Sequence, residues 1–281
     1  MNIKTGKRKI SDIILLVLTW TFAALTLTAL LFIVVHILAN GIPHLTSSLF
    51  EIRWTTANVS MMPSVIATVA MVAVTLCLVV PLGMFTGIYL VEYAKKGSRY
   101  VAVIRQATEM LAGIPSIVYG LFGFLFFVQF VGLGRSLIAG AFTLAIMVLP
   151  LIIRTTEEAL KSVPDGYREG AFALGAGKLR VIFRTVLPSA VPGVLAGVIL
   201  ATGRIVGETA ALIFTAGTAP NIPESLYSSV RTLAVHMWVL SGEAHHINEA
   251  YATAVVLLVI VLIVNTVAAA VAKALAPGRV A

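Results

Sequence analysis

Only one cysteine, Cys77, stands among the 281 residues, so no disulfide can form within the chain. Charge is nearly as scarce. Asp, Glu, Lys and Arg together make up 11% of residues against 59% apolar ones. With a mean hydropathy of +1.00, that balance excludes a soluble domain of this size. Acids are outnumbered 12 to 20, yet the +8 net charge is not gathered into a basic patch interleaved with aromatics, so nothing points to nucleic acid. The apolar runs carry no cluster of His, Asp or Glu that a membrane-embedded enzyme would need. Duplicated halves rich in intramembrane acids, a frequent mark of ion-coupled carriers, are missing too.

What is present is a series of apolar runs long enough for ~30 Å of hydrocarbon. Charge-free runs cover residues 13–38, 61–91, 110–134, 136–153 and 250–272. A sixth, 189–217, is interrupted only by Arg204 and Glu208. None alternates with period two, and lipid requires internally satisfied backbone, so the spans are helices rather than barrel strands. The expected fold is an all-α protein of six transmembrane helices in the cell (inner) membrane.

Sixteen of the twenty Lys and Arg residues fall on one side: Lys4, Lys7, Arg8 and Lys9; Lys95, Lys96, Arg99 and Arg105; six between Arg154 and Arg184; Lys273 and Arg279. The other side holds Arg53, Arg135 and Arg231. By the positive-inside rule both termini are expected in the cytoplasm. The first run is expected to be an uncleaved signal anchor, being too long for a cleaved one and without a small-residue cleavage pattern. The resulting layout is a cytoplasmic segment 1–12, a first span 13–38, an external loop 39–61, a core 62–275 and a tail 276–281. Within that core lie a cytoplasmic loop 154–188 and an external loop 217–249, the latter expected to be helical from about 223 to 240.

The cytoplasmic loop holds a polar, helix-like stretch, "REGAFALGAGKLRVIFRTVLP". Upstream, Ser162 is placed to cap a short helix with Pro164 in its first turn and Asp165 at its positive end; Gly175 or Gly177 would stop it. A second helix is expected from Lys178 onward, running into the fifth span at Pro188. "LGAGKL" is not a nucleotide-binding loop, since Phe172 and Leu179 occupy the places of a required Gly and Ser/Thr. Local features leave two readings, an amphipathic connector or a docking segment for another protein.

Glu169, Gly170 and Ala171, then Gly175, then Leu187 and Pro188 resemble the E-A-A-x(3)-G-x(9)-I-x-L-P loop of ABC importer permeases, with Gly170 and Thr185 departing from it. The stretches "GIYLVEY", "LAGIPSIVYGLFG", "GRIVGETAALIFTAG" and "AYATAVVLLVIVLIVN" resemble the phosphate-specific permeases, of the PstA type rather than PstC. The resemblance implies a type I ABC importer permease fold, with a coupling helix between spans four and five that docks on a separate ATPase. Pro164, Asp165, Arg168, Glu169, Gly170, Ala171, Leu174 and Gly175 would form that docking element. Implied partners are a second permease subunit of PstC type, two ATPase subunits of PstB type and an external phosphate-binding protein of PstS type. ATP and Mg²⁺ would be held by the ATPase, leaving this chain without a cofactor.

On the fifth span, Gly193, Gly197, Ala201, Arg204, Glu208, Ala211 and Thr215 share about a third of an ideal helix's circumference. Two readings follow. In one, Arg204 presents its guanidinium to a phosphate oxyanion while Glu208 holds that fork; in the other the two form only a structural pair at i,i+4. The resemblance favours the first. Pro115 and Pro150 are expected at kinks, and His245 and His246 as surface histidines rather than metal ligands.

Overall fold

The computed structural model describes residues 10–95 and 97–275 and holds no strand among them. Lys4, Lys7, Arg8, Lys9, Lys96, Arg279 and the tail 276–281 lie outside the described residues, as does the Lys273 side chain. Helix α1 is Ile10–Gly41, and α2 is Met62–Ile88, prolonged by a π turn Tyr89–Tyr93. Helix α3 covers Arg99–Ala112; α4 covers Ser116–Gly123 and runs into a π segment Phe124–Phe130. Helix α5 is Leu137–Lys161 and α6 is Asp165–Ala173. Next come α7, Lys178–Val181, a π turn Ile182–Val186 and α8, Leu187–Val206, which together make one helical stretch. Helices α9 (Ala210–Thr215), α10 (Leu233–Ser241) and α11 (Ile247–Leu275) complete the order.

Five stretches are long and apolar enough to cross a membrane, and α3 with the α4 segment makes a sixth only if counted as one span bent by 103°. The third expected span is therefore broken. Pro115, at φ −60° and ψ 141°, starts α4 with no N–H to continue a helix from α3. Residues 110–112 consequently end the preceding helix α3, which carries Arg99 and Arg105. Pro150, in contrast, is accommodated inside α5.

Helix α5 is the axis of the bundle. Small residues let two neighbours approach it. A Cβ on Gly83 or Gly87 of α2 would come within 2.6 Å of Ile152 or 2.7 Å of Thr156. On α8, a Cβ at Gly193 would lie 2.7 Å from that of Ala159, and one at Gly197 would collide with Thr155. The main core gathers Met71 and Val79 of α2, Leu144, Met147, Val148 and Ile152 of α5, and Ala201 and Ile205 of α8. Helix α1 stands outside this core, its large apolar side chains exposed, and meets α11 through His36 and Tyr251 (Nε2 to Oη, 3.3 Å).

At the end away from α6, the segment expected to be helical from about 223 stays non-helical, with a turn at Leu226 and Tyr227, as far as Thr232, and only Leu233–Ser241 is helical. Its carbonyls are used elsewhere. Those of Ser228 and Leu226 accept from the backbone N–H groups of Leu137 and Ile138, two donors that the start of α5 leaves without helical partners.

Within that segment, Arg231 donates from Nε to the Thr218 carbonyl (2.8 Å) and from Nη1 to Nδ1 of the fully buried His236 (3.2 Å). Burial, and then the neighbouring guanidinium, lowers the His236 pKa to about 4. The folded protein thus binds fewer protons than the unfolded chain between that value and ~6.5. Stability is full above ~6.5 and falls as pH drops toward about 4, by on the order of 3 kcal/mol. Acid titration of thermal unfolding should show this loss in the wild type and a much weaker one in His236→Phe; equal slopes would refute the assignment.

Candidate functional site

Helices α3, α5 and α8 enclose a cavity of about 350 Å³. Its wall on α5 runs from Met147 to Lys161, fifteen residues or ~21 Å of helix. Arg105, Thr108, Glu109 and Ala112 line it from α3, and Arg204 from α8. Its Lys161 end is the end of α5 that leads toward α6. Because Gly193 faces Ala159 and Gly197 faces Thr155, α8 runs antiparallel to α5, and this register sets Arg204 level with about residue 148. Arg204 therefore stands ~20 Å along the bundle from the level of Lys161.

Most charges around the cavity are already matched. Glu157, 8% exposed, takes Arg105 and Lys161 on one oxygen at 2.6 Å each, and Arg154 holds Glu158 at 2.9 Å. Arg204 is the one cation of the lining that makes no ion pair among the described residues, Glu109 being the one acid without one, and its side chain is exposed. A guanidinium without a counter-ion, opening onto a cavity within a membrane span, offers planar, paired donors to a tetrahedral oxyanion.

The expected partnership with Glu208 is not formed. Helix α8 stops at Val206, and the chain turns at Gly207 before α9 begins, so the continuous face drawn through Ala211 and Thr215 is broken. Glu208 is buried, and its Oε1 accepts from the Ala211 N–H at 3.1 Å, which caps α9. Of the small residues on the assumed face, Gly193 and Gly197 serve helix packing against α5.

Helix α6 follows α5 beyond the Lys161 end of the cavity. Pro164 stands at its N-cap position and Asp165 in its first turn. Ser162 is not its cap; it closes α5, donating from Oγ to the Ala159 carbonyl. The C-terminus is a Schellman motif, with Gly175 at φ +80°, Gly175 N–H on the Phe172 carbonyl and Ala176 N–H on that of Ala171. Tyr167, Phe172 and Leu174 are exposed, Leu174 to 90%, and so are Glu169 and Gly170. Ala171 packs inward on the buried cluster that includes Ile88, Leu160 and Val181. Arg168 also points inward, onto Glu92.

Residues 79–280 match the family described as binding-protein-dependent transport system inner membrane component. The chain belongs to that family. Among its relatives, the Probable ABC transporter permease protein YqgI of Bacillus subtilis (strain 168) is 37% identical over 69% of this chain and 71% of its own length. Phosphate transport system permease protein PstA 1 of Mycobacterium tuberculosis (strain CDC 1551 / Oshkosh) is 34% identical over 72% of this chain and 67% of its own. PstA of Pasteurella multocida (strain Pm70) is 35% identical over 78% and 82%. The same architecture recurs in solved structures. A chain of the MetNI methionine ABC transporter in an inward-facing conformation aligns with a TM-score of 0.60 at 19% identity, covering 74% of this chain and 93% of that one. A chain of a bacterial ABC transporter involved in the import of alginate aligns at 0.61 and 14% identity, covering 90% and 95%. These place the chain among multi-pass permease subunits of ABC importers.

Sequence reasoning singled out Arg204 and passed over the charges on α5 that line the same cavity. Arg154, Glu157, Glu158 and Lys161 recur at i, i+3, i+4 and i+7 on α5, a spacing that puts them on one face. Counted only as markers of orientation, the basic ones hid that pattern.

Proposed function

We propose that this chain is the membrane-spanning subunit of an ATP-driven, binding-protein-dependent importer of inorganic phosphate. The observation that carries the reading is Arg204, the cation of the cavity wall left without a carboxylate among the described residues. Relatives named as phosphate transport permeases support the substrate. The end that bears α6 is cytoplasmic on this reading, because Lys and Arg concentrate there. The exposed surface of α6 around Glu169, Gly170, Leu174 and Gly175 docks on the ATPase, which supplies ATP and Mg²⁺. A second permease subunit completes the pathway and an external binding protein delivers the anion. Uptake of radiolabelled phosphate by the reconstituted complex, with sulfate and molybdate as competitors, tests it; ATP-dependent uptake of either competitor in preference to phosphate would reassign the substrate.

The sequence has no nucleotide-binding loop, so the purified subunit, freed of its ATPase, is expected neither to bind nor to hydrolyse ATP. Phosphate release from ATP by that preparation would contradict the division of labour.

A further inference from the structure

Arg168 was expected on the docking surface, and its hydrogen bonds point the other way. All five of its N–H donors are in use. Nε and Nη2 donate to Oε1 of Glu92 at 3.1 and 2.9 Å. Nη2 also reaches the Leu160 carbonyl at 2.8 Å, while Nη1 donates to the Val163 carbonyl at 2.8 Å and to Asp165 at 3.2 Å. Both charged side chains are largely enclosed, Arg168 at 15% exposure and Glu92 at 10%. A guanidinium so committed has no donor left for a partner subunit.

The three places it holds belong to different parts of the bundle. Leu160 ends α5, where helix carbonyls lack intrahelical partners; Val163 begins the link to α6; Glu92 lies in the π turn that finishes α2. A second contact grips the same turn from the far arm of the loop. Lys178, beyond Gly175, places its Nζ 4.5 Å from the centroid of the Tyr93 ring. The segment from Asp165 to Lys178 is thus clasped at both ends by adjacent residues of one turn. Since α5 also supplies the cavity wall up to Met147, whatever displaces α6 displaces that wall.

We propose that Arg168, locked onto Glu92, is a positioning residue that makes α6 one rigid body with the ends of α2 and α5, so that a push on α6 moves the wall of the Arg204 cavity. The proposal rests on the reading of α6 as the element on which the ATPase docks. Lys cannot replace Arg168, since a single ammonium reaches one or two of these acceptors and lacks the planar fork.

The test uses the full complex with its ATPase in proteoliposomes, comparing wild type, Glu92→Gln, Arg168→Lys and, on a Cys77→Ser background, Glu92→Cys with Arg168→Cys. Phosphate moved per ATP hydrolysed should fall about tenfold in Glu92→Gln and Arg168→Lys, with the ATPase subunit retained at wild-type stoichiometry. Amide exchange across 165–173 should accelerate by about tenfold or more in the same complexes. Joining the two cysteines with a short bis-maleimide should restore the wild-type ratio, because a covalent tie replaces the lost one. Wild-type exchange in α6 of both variants overturns the proposal. So does loss of the ATPase with α6 exchange unchanged, which would make Arg168 a docking contact. A wild-type complex that hydrolyses ATP without moving phosphate sinks the substrate reading, while the exchange comparison still decides the joint.

Discussion

Arg204→Gln is expected to lower phosphate uptake by roughly 100-fold, the scale set by losing two charge-assisted hydrogen bonds to an anion. Assembly with the ATPase should be unchanged, because Arg204 forms no ion pair whose loss would strand a buried acid. Arg204→Lys should recover only part of the rate, keeping the charge without the fork. The competing view, that Arg204 merely neutralises Glu208, makes a different forecast. Under it, the double change Arg204→Gln with Glu208→Gln removes both charges and returns uptake to normal. The geometry argues against that outcome. Glu208 is occupied with the Ala211 N–H, a bond that the amide oxygen of Gln can also accept, so Glu208→Gln alone should cost little. The double variant is expected to be stable and transport-dead; wild-type uptake by it would end the pathway role of Arg204.

The difference between those forecasts also marks where sequence reasoning lost the site. A helical wheel assumes that the helix continues, and under that assumption Arg204 and Glu208 stand one turn apart. The chain instead leaves the helix at Gly207, an event that apolar content on both sides conceals. Local punctuation was legible where one residue dominates. Gly175 was one of two candidate stops and takes the left-handed conformation that ends α6, and the helix resumes at Lys178 as expected. Where two roles suit one residue, the nearer partner decided. Ser162 fits a cap for α6 by spacing, but the α5 carbonyl of Ala159 lies within reach of its hydroxyl and takes it. Arg168 illustrates a further limit. On a nine-residue helix carrying polar residues on several sides, periodicity cannot say which side faces the bundle, and only Glu92, seventy-six positions earlier, reveals it.

Gly175→Trp is expected to abolish ATP-driven uptake while leaving the subunit in the membrane at its normal level. Two costs arise at this position, and they separate. The first is conformational: at φ +80° any L-residue other than Gly is strained by roughly 1–2 kcal/mol, which weakens the Schellman stop of α6. The second is surface bulk. No atom lies within 4 Å of a Cβ built at Gly175, so an indole there meets nothing inside this chain and projects outward next to Leu174, itself 90% exposed. Gly175→Ala carries the first cost and almost none of the second. Because Arg168 and Lys178 hold the segment on both sides of Gly175, the Ala variant should retain most of its uptake and the Trp variant almost none. If Ala and Trp are equally inactive, the backbone turn matters and the surface does not. Normal uptake by the Trp variant at normal abundance would mean that no ATPase subunit seats against this end of α6, and the lever would have to be sought elsewhere in the chain.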